Sequence, residues 1–220
     1  MADASREVIV KQTKAEMTKL GNYNLTIGQV FQDSTGAQHS NVIWKSWTLG
    51  PNISIQWNVK YALQWTKKLP SNRAQVTYSG DDWFPVNVNN ATGYELDSQG
   101  FFAEKGNGTP GSITVNNNAY AMGVHIIVGI FDVETNQYAP VFVDTNELLR
   151  NGSGNYTPTE ITRLWYEVNS SAGTFVAKDQ SSYGQVITSR PNANTDKFVW
   201  AGTYDPTAGK WGGDIKDIHP

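Results

Sequence analysis

Residues 53–65 read "ISIQWNVKYALQW". Ile53, Ile55, Trp57, Val59, Tyr61, Leu63 and Trp65 share one parity, while Ser54, Gln56, Asn58, Lys60 and Gln64 share the other, interrupted only by Ala62. Successive side chains on a strand point to opposite faces, so this period of two gives one apolar face and one ladder of amides. The run predicts an antiparallel strand buried on one side. Fully extended it would span about 43 Å, well beyond a strand of five or six residues, so a bulge or bend is expected inside it. The amide ladder has two readings. It is either the wet face of a sheet, the simpler case, or the floor of a shallow groove with Trp44 or Trp47 at its side.

The same pattern extends outward in both directions. Before it stand "NYNLTIGQVF" and "NVIWKSWTL"; after it come "AQVTYS", "DWFPVNV", "GSITVN", "MGVHIIVGIFDV", "YAPVFVD", "ITRLWYEVN", "GTFVAKD", "YGQVITS" and "DKFVWAGTY". About a dozen short strands separated by Gly, Asn, Asp and Pro clusters predict an all-β fold, an antiparallel β-sandwich of jelly-roll type, as one domain over residues 1–220. In "VHIIVGIF", Val124, Ile126, Val128 and Ile130 share one parity and Ile127 and Phe131 the other, which marks a central strand buried on both faces. One short helical turn is expected at "DTNELLR", capped by Asp144 or Thr145 with Arg150 near its end. Residues 1–20 are ambiguous, since "KQTKAEMTKL" favours a helix by propensity and "EVIV" a strand; the reading leans to a strand at Val8 followed by an irregular N-terminal arm, and no 20 to 50 residue repeat is present.

Composition removes several functions. A net charge of −3 with scattered Lys and Arg lacks the basic patch that nucleic-acid binding needs. No stretch approaches the ~20 apolar residues of a membrane-spanning helix. The chain has no cysteine, so neither a disulfide nor a cysteine metal site supports it. With no leader pattern in "MADASREVIVKQTKAEMTKL", the expected location is cytoplasmic. Seven Asn-x-Ser/Thr sequons, at Asn24, Asn52, Asn90, Asn107, Asn151, Asn155 and Asn169, keep secretion as the minority alternative. His39, His125 and His219 are isolated, and "GNGTPG" lacks the Lys-Ser/Thr ending of a phosphate loop, so neither a metal nor a cofactor is expected.

What remains is 8 Trp, 10 Tyr and 8 Phe among many amides, with only 17% charged residues. An indole offers an apolar face and an amide offers both donors and acceptors, a combination suited to flat, neutral, hydroxyl-rich ligands. Two clusters carry it. "SGDDWFPVNVNNATGYELD" supplies Asp81, Asp82, Trp83, Asn87 and Asn89; "VWAGTYDPTAGKWGGD" supplies Trp200, Tyr204, Asp205, Trp211 and Asp214. The bland reading makes the acids turn residues and the tryptophans core. Glu95 in "GYELD" and Glu167 in "WYEVN" are the candidate pair for a glycoside hydrolase, which needs two carboxylates about 5 Å apart across a cleft.

In "ISIQWNVKYALQW", "DDWFPVNVNN" and "KFVWAGTYDPTAGKWGGD" the chain resembles, in style, the cytoplasmic fungal lectins and β-sandwich cytolysins that serve as defence proteins. That resemblance implies glycan binding, homo-oligomerisation and no cofactor. The leading expectation is therefore a carbohydrate-binding protein. A cytolysin that places aromatics at a membrane surface comes second, and a jelly-roll glycoside hydrolase third.

Overall fold

The computed structural model describes residues 5–80, 82–177, 185–187 and 197–216. In chain order these form β1 (Ser5–Lys11), α1 (Lys14–Leu20), β2 (Tyr23–Gln32), β3 (Gln38–His39), β4 (Val42–Ile43), β5 (Lys45–Thr48), β6 (Asn52–Thr66), β7 (Phe84–Val86) and β8 (Thr92–Leu96). They continue with β9 (Phe102–Asn107), β10 (Ile113–Asn117), β11 (His125–Asp132), β12 (Gln137–Val143), β13 (Gly152–Val168), β14 (Thr174–Phe175), β15 (Gln185–Ile187), β16 (Lys197–Asp205) and β17 (Lys210–Lys216).

Two large sheets pack face to face. The first runs β12-β11-β6-β1-β16-β17, with β7 added to β6; the second runs β3-β2-β13-β10-β8-β9, with β5 on β2 and β15 on β13. Apolar residues of one parity from each sheet meet between them: Val8, Ile55, Leu63, Ile126 and Val128 from the first, Leu25, Ile27, Val115, Tyr156 and Leu164 from the second. This is the expected β-sandwich. Its sheets are mixed rather than wholly antiparallel, because β1 lies parallel to β16 and β8 lies parallel to β10. The N-terminal strand enters between β6 and the C-terminal hairpin, so the segment expected as a partly irregular arm holds an interior position.

β6 behaves as its sequence requires up to Trp57 and then changes. From Asn52 to Trp57 exposure alternates strictly, whereas Tyr61 to Thr66 are buried on both faces. The change coincides with a bulge: Ile130 of β11 faces Tyr61 and its neighbour Phe131 faces Asn58, so Val59 and Lys60 are extra. Beyond the bulge the outer face is covered by a second apolar cluster, in which Val76 and Trp83 pack on Ile127 and Val143 with Val42 and Phe175 of the small β4–β14 sheet. Ile127 is thus buried behind its own sheet, as the two apolar parities of β11 anticipated.

The helix lies elsewhere than expected. Asp144 and its followers do not wind up: the Asp144 carboxylate accepts from Asn146 N–H (2.9 Å) and from the Tyr156 hydroxyl (2.8 Å), and Leu148 bridges back to Val124. α1 is instead set by a capping box, in which Thr13 N–H donates to Glu16 Oε2 (2.6 Å) and Glu16 N–H to Thr13 Oγ1 (3.3 Å). Gly21, at φ 56°, ends it by donating to the Met17 carbonyl. Among the described residues no helix is long and apolar enough to cross a membrane.

Candidate functional site

The amide ladder of β6 divides at the bulge. Ser54 and Gln56 both donate to Glu7 Oε1 of β1, at 2.6 and 3.0 Å, so that part of the ladder is satisfied within the sheet. Lys60 lies over the Phe131 ring, 5.5 Å from its centroid. Gln64 has a different setting. It is only 2% exposed, yet it lines a hollow of about 290 Å³ together with Trp65, Asp82, Trp83, Phe101 and Phe102. Its Oε1 accepts from Trp65 N–H (3.3 Å).

Each wall of the hollow is positioned by backbone chemistry. The Trp65 indole N–H donates to the Gly100 carbonyl (2.8 Å), and Gly100 sits at φ +90° where a Cβ would stand 2.8 Å from the Trp65 ring. Asp97 Oδ1 accepts from the N–H groups of Gln99 and Phe101, which tightens the turn and leaves Phe101 49% exposed at the rim. Opposite, Trp83 is half-buried on the outer face of β11. Its ring stands 5.2 Å from Tyr78 and 6.2 Å from Tyr138, which continues to Phe131 at 5.4 Å, so a row of aromatics crosses the sheet. Burial pushes the Tyr78 phenol above its ordinary range. Asp82 is exposed beside the hollow. Aromatic side chains, the Gln64 amide and the Asp82 carboxylate therefore converge on one opening.

Of the residues picked from the first sequence cluster, Asp82 and Trp83 meet at this hollow, while Asp81 lies outside the described residues. Asn87 and Asn89 are engaged in a turn of their own, Asn87 Oδ1 accepting from Asn89 N–H (2.9 Å). In the second cluster Trp200 is core, 7% exposed. Tyr204 and Trp211 are half-buried and pack with Tyr166, Trp211 stacking on Tyr166 with ring centroids 5.4 Å apart and planes 3° from parallel. Asp205 Oδ1 accepts from Thr207 N–H (2.7 Å) and Ala208 N–H (3.2 Å), which holds the β16–β17 turn and lowers its pKa. The Asp214 side chain lies outside the described residues. Trp44, one proposed wall for the ladder, is fully buried, and Trp47 lies beside Lys45.

Glu95 and Glu167 are not brought together. Glu95 of β8 accepts from Lys105 Nζ (2.7 Å) and Asn118 Nδ2 (2.8 Å), which lowers its pKa. Glu167 accepts from the Trp165 indole (2.9 Å) and pairs with Arg73. Through β10, Glu95 lies level with Ser153 of β13, and Glu167 is fourteen residues further along that strand, a separation on the order of 40 Å. A retaining pair needs about 5 Å and an inverting pair less than about 10 Å. Among the described residues no three His, Asp or Glu side chains form a metal-binding group.

Sequence reading left out Phe101, Phe102, Tyr78 and Tyr138. The signal for the first two was local: "DSQGFF" is a turn that delivers two aromatics to its exit. Comparison of the chain with protein-family models, with curated proteins and with solved structures finds no match.

Proposed function

We propose that this chain is a carbohydrate-binding protein that takes a neutral, hydroxyl-rich ligand at the hollow between Gln64 and Trp83. The observation that carries this reading is the convergence on one hollow of the Gln64 amide, the Trp83 and Phe101 rings and the Asp82 carboxylate. An amide offers both donors and an acceptor, so a ligand hydroxyl can pair with it. Trp83 and the half-exposed Phe101 would cover the apolar face of a pyranose, and Asp82 would accept from its hydroxyls as a charge-assisted acceptor. The hollow is close to the lower end of the 300–1,000 Å³ range of small-molecule sites, which suits one sugar unit rather than a long chain. A cytoplasmic location accompanies the proposal, since the fold uses no cysteine. Titration of the purified chain with methyl pyranosides tests it: binding should change tryptophan emission saturably, and a flat response across gluco, galacto, manno and N-acetylated sugars would refute it.

A membrane-surface role is the second reading, motivated by three exposed apolar tips. Phe101 (49%), Met122 (42%) and Leu149 (59%) stand on neighbouring loops, joined by the Gly100–Tyr120 contact and by Asn117 Nδ2, which donates to the carbonyls of Met122 and Leu148. Co-sedimentation with vesicles distinguishes it: retention that is lost on Leu149→Ser would favour the membrane, and no retention on neutral or anionic vesicles would remove it.

A further inference from the structure

A second hollow of about 530 Å³ lies between the start of α1, the end of β1 and the β16–β17 hairpin. Its lining includes Gln12, Thr13, Glu16, Thr203 and Gly212, with Lys11 at the edge. It shares no residue with the hollow at Gln64. Two features make it more than a surface dent.

The first is Gln12. It is 6% exposed; its Nε2 donates to the Tyr166 hydroxyl at 2.7 Å, and its Oε1 has no partner. Gln12 Oε1 is one of six buried side-chain atoms without a partner among the described residues, and of those six residues Gln12 alone lines this hollow. The second is the bare hairpin. Gly202 pairs with Gly213 and Thr203 with Gly212, so the strand backbone is uncovered there. Space is open above Gly212, where a Cβ would meet nothing within 4 Å, whereas a Cβ at Gly213 would run into the Trp200 indole. One side of the hairpin is thus filled by Trp200 and the other is free for an approaching molecule.

The lining also selects the ligand. Lys11 and Glu16 border the same space, so neither a cation nor an anion is favoured outright. Gln12 Oε1 requires a donor, the Thr13 and Thr203 hydroxyls can donate or accept, and the glycines admit a flat ring close to the backbone. A neutral molecule bearing several hydroxyls meets all of these conditions.

We propose that this second hollow is a separate site for a neutral polyol, so that one chain carries two binding sites at opposite ends of β6. The class of ligand rests on the carbohydrate reading of the first hollow; the existence of a second site rests on Gln12 and the bare hairpin. The separation follows from register. Lys11 pairs with Asn52, at the start of β6, and Gln64 stands twelve residues further along the same strand, on the order of 40 Å. Two sites so placed cannot hold one monosaccharide between them, but they can hold two glycans on two surfaces. Cross-linking would then need no second protein copy.

The experiment is amide chemical-shift mapping on the full chain titrated with methyl glycosides of glucose, galactose, mannose and N-acetylglucosamine. The wild type should show two separate groups of shifted amides, one around Thr203 and Gly212, the other around Trp83 and Phe101. Gly212→Leu, which has room for its side chain, should abolish the first group and leave the second; Trp83→Ala should do the reverse; Gln12→Ala should weaken the first group at least tenfold. Shifts confined to Trp83 and Phe101 would overturn the second site while leaving the first standing. Shifts confined to Thr203 and Gly212 would support the second site and refute the first. No shift with any glycoside would overturn both.

Discussion

The indole of Trp83 rests on Gly129: a Cβ at residue 129 would stand 2.6 Å from the ring's Cζ3 atom, closer than real Cβ atoms come. Gly129 also sits where the β11–β12 register shifts, between Val128 and Gly129. The glycine thus makes the seat on which the aromatic wall is held. Gly129→Ala should lift the indole, costing about 1–3 kcal/mol of stability as an overpacked site does. Its Trp83 emission should move to longer wavelength, and glycan affinity should fall with it. An unchanged melting temperature would show that the seat is looser than the geometry says.

Gln64→Leu separates packing from recognition. The substitution keeps a similar volume inside the sheet and removes the one amide that faces the hollow. Stability should change by less than about 1.5 kcal/mol, while affinity for a pyranoside should drop about tenfold, the value of one hydrogen bond. Equal affinity in both proteins would remove Gln64 from the site.

The two sheets are tied at one end by Lys45 of β5. Its Nζ donates to Asp132 (2.7 Å) and Glu134 (2.6 Å), and it lies 5.3 Å from the Trp44 ring centroid and 5.4 Å from that of Trp47. Lys45 and Asp132 are both buried, at 7% and 4% exposure. Lys45→Met should cost about 3–5 kcal/mol, because it leaves the Asp132 carboxylate buried without its cation. Chemical denaturation measures it. Adding Asp132→Asn to that variant should recover part of the loss.

Acid should weaken the fold through Asp33. Burial acts to raise its pKa, but hydrogen bonds from Thr35, His39 and Ala37 outweigh it and hold the carboxyl below its ordinary 3.8. A carboxyl lowered in the folded state contributes stability above its unfolded value and loses it as pH falls through the folded value. Glu95, lowered by Lys105 and Asn118, acts in the same direction. Thermal melting should therefore be level near neutrality and fall below about pH 4, with a shallower fall in Asp33→Asn. A melting temperature that rose on acidification would contradict this.

The parts of the fold legible in the sequence are those fixed by local period. Ile53, Ile55 and Trp57 announced a one-sided strand, Ile127 announced a strand buried on both faces, and the length of β6 announced its bulge. What local period cannot report is which distant loop folds over a face. Ser54, Gln56 and Gln64 look alike in the ladder; only tertiary packing gives the first two to Glu7 and places the last beneath Trp83. The capping box Thr13–Glu16 was readable as Thr-x-x-Glu, but "EVIV" just before it drew the segment toward a strand, and both proved present. The aspartates near aromatics were readable as residues but not as roles. Asp82 borders a hollow and Asp205 folds a turn, although each stands beside a tryptophan or tyrosine in the chain.

A glycan array probed in parallel with the wild-type chain and with Trp83→Ala tests the central proposal most directly. The wild type should retain a defined set of neutral glycans, and the variant should lose at least tenfold in signal on that set while melting within a few degrees of the parent. Retention of no glycan by the wild type, or identical retention by both proteins, would contradict it.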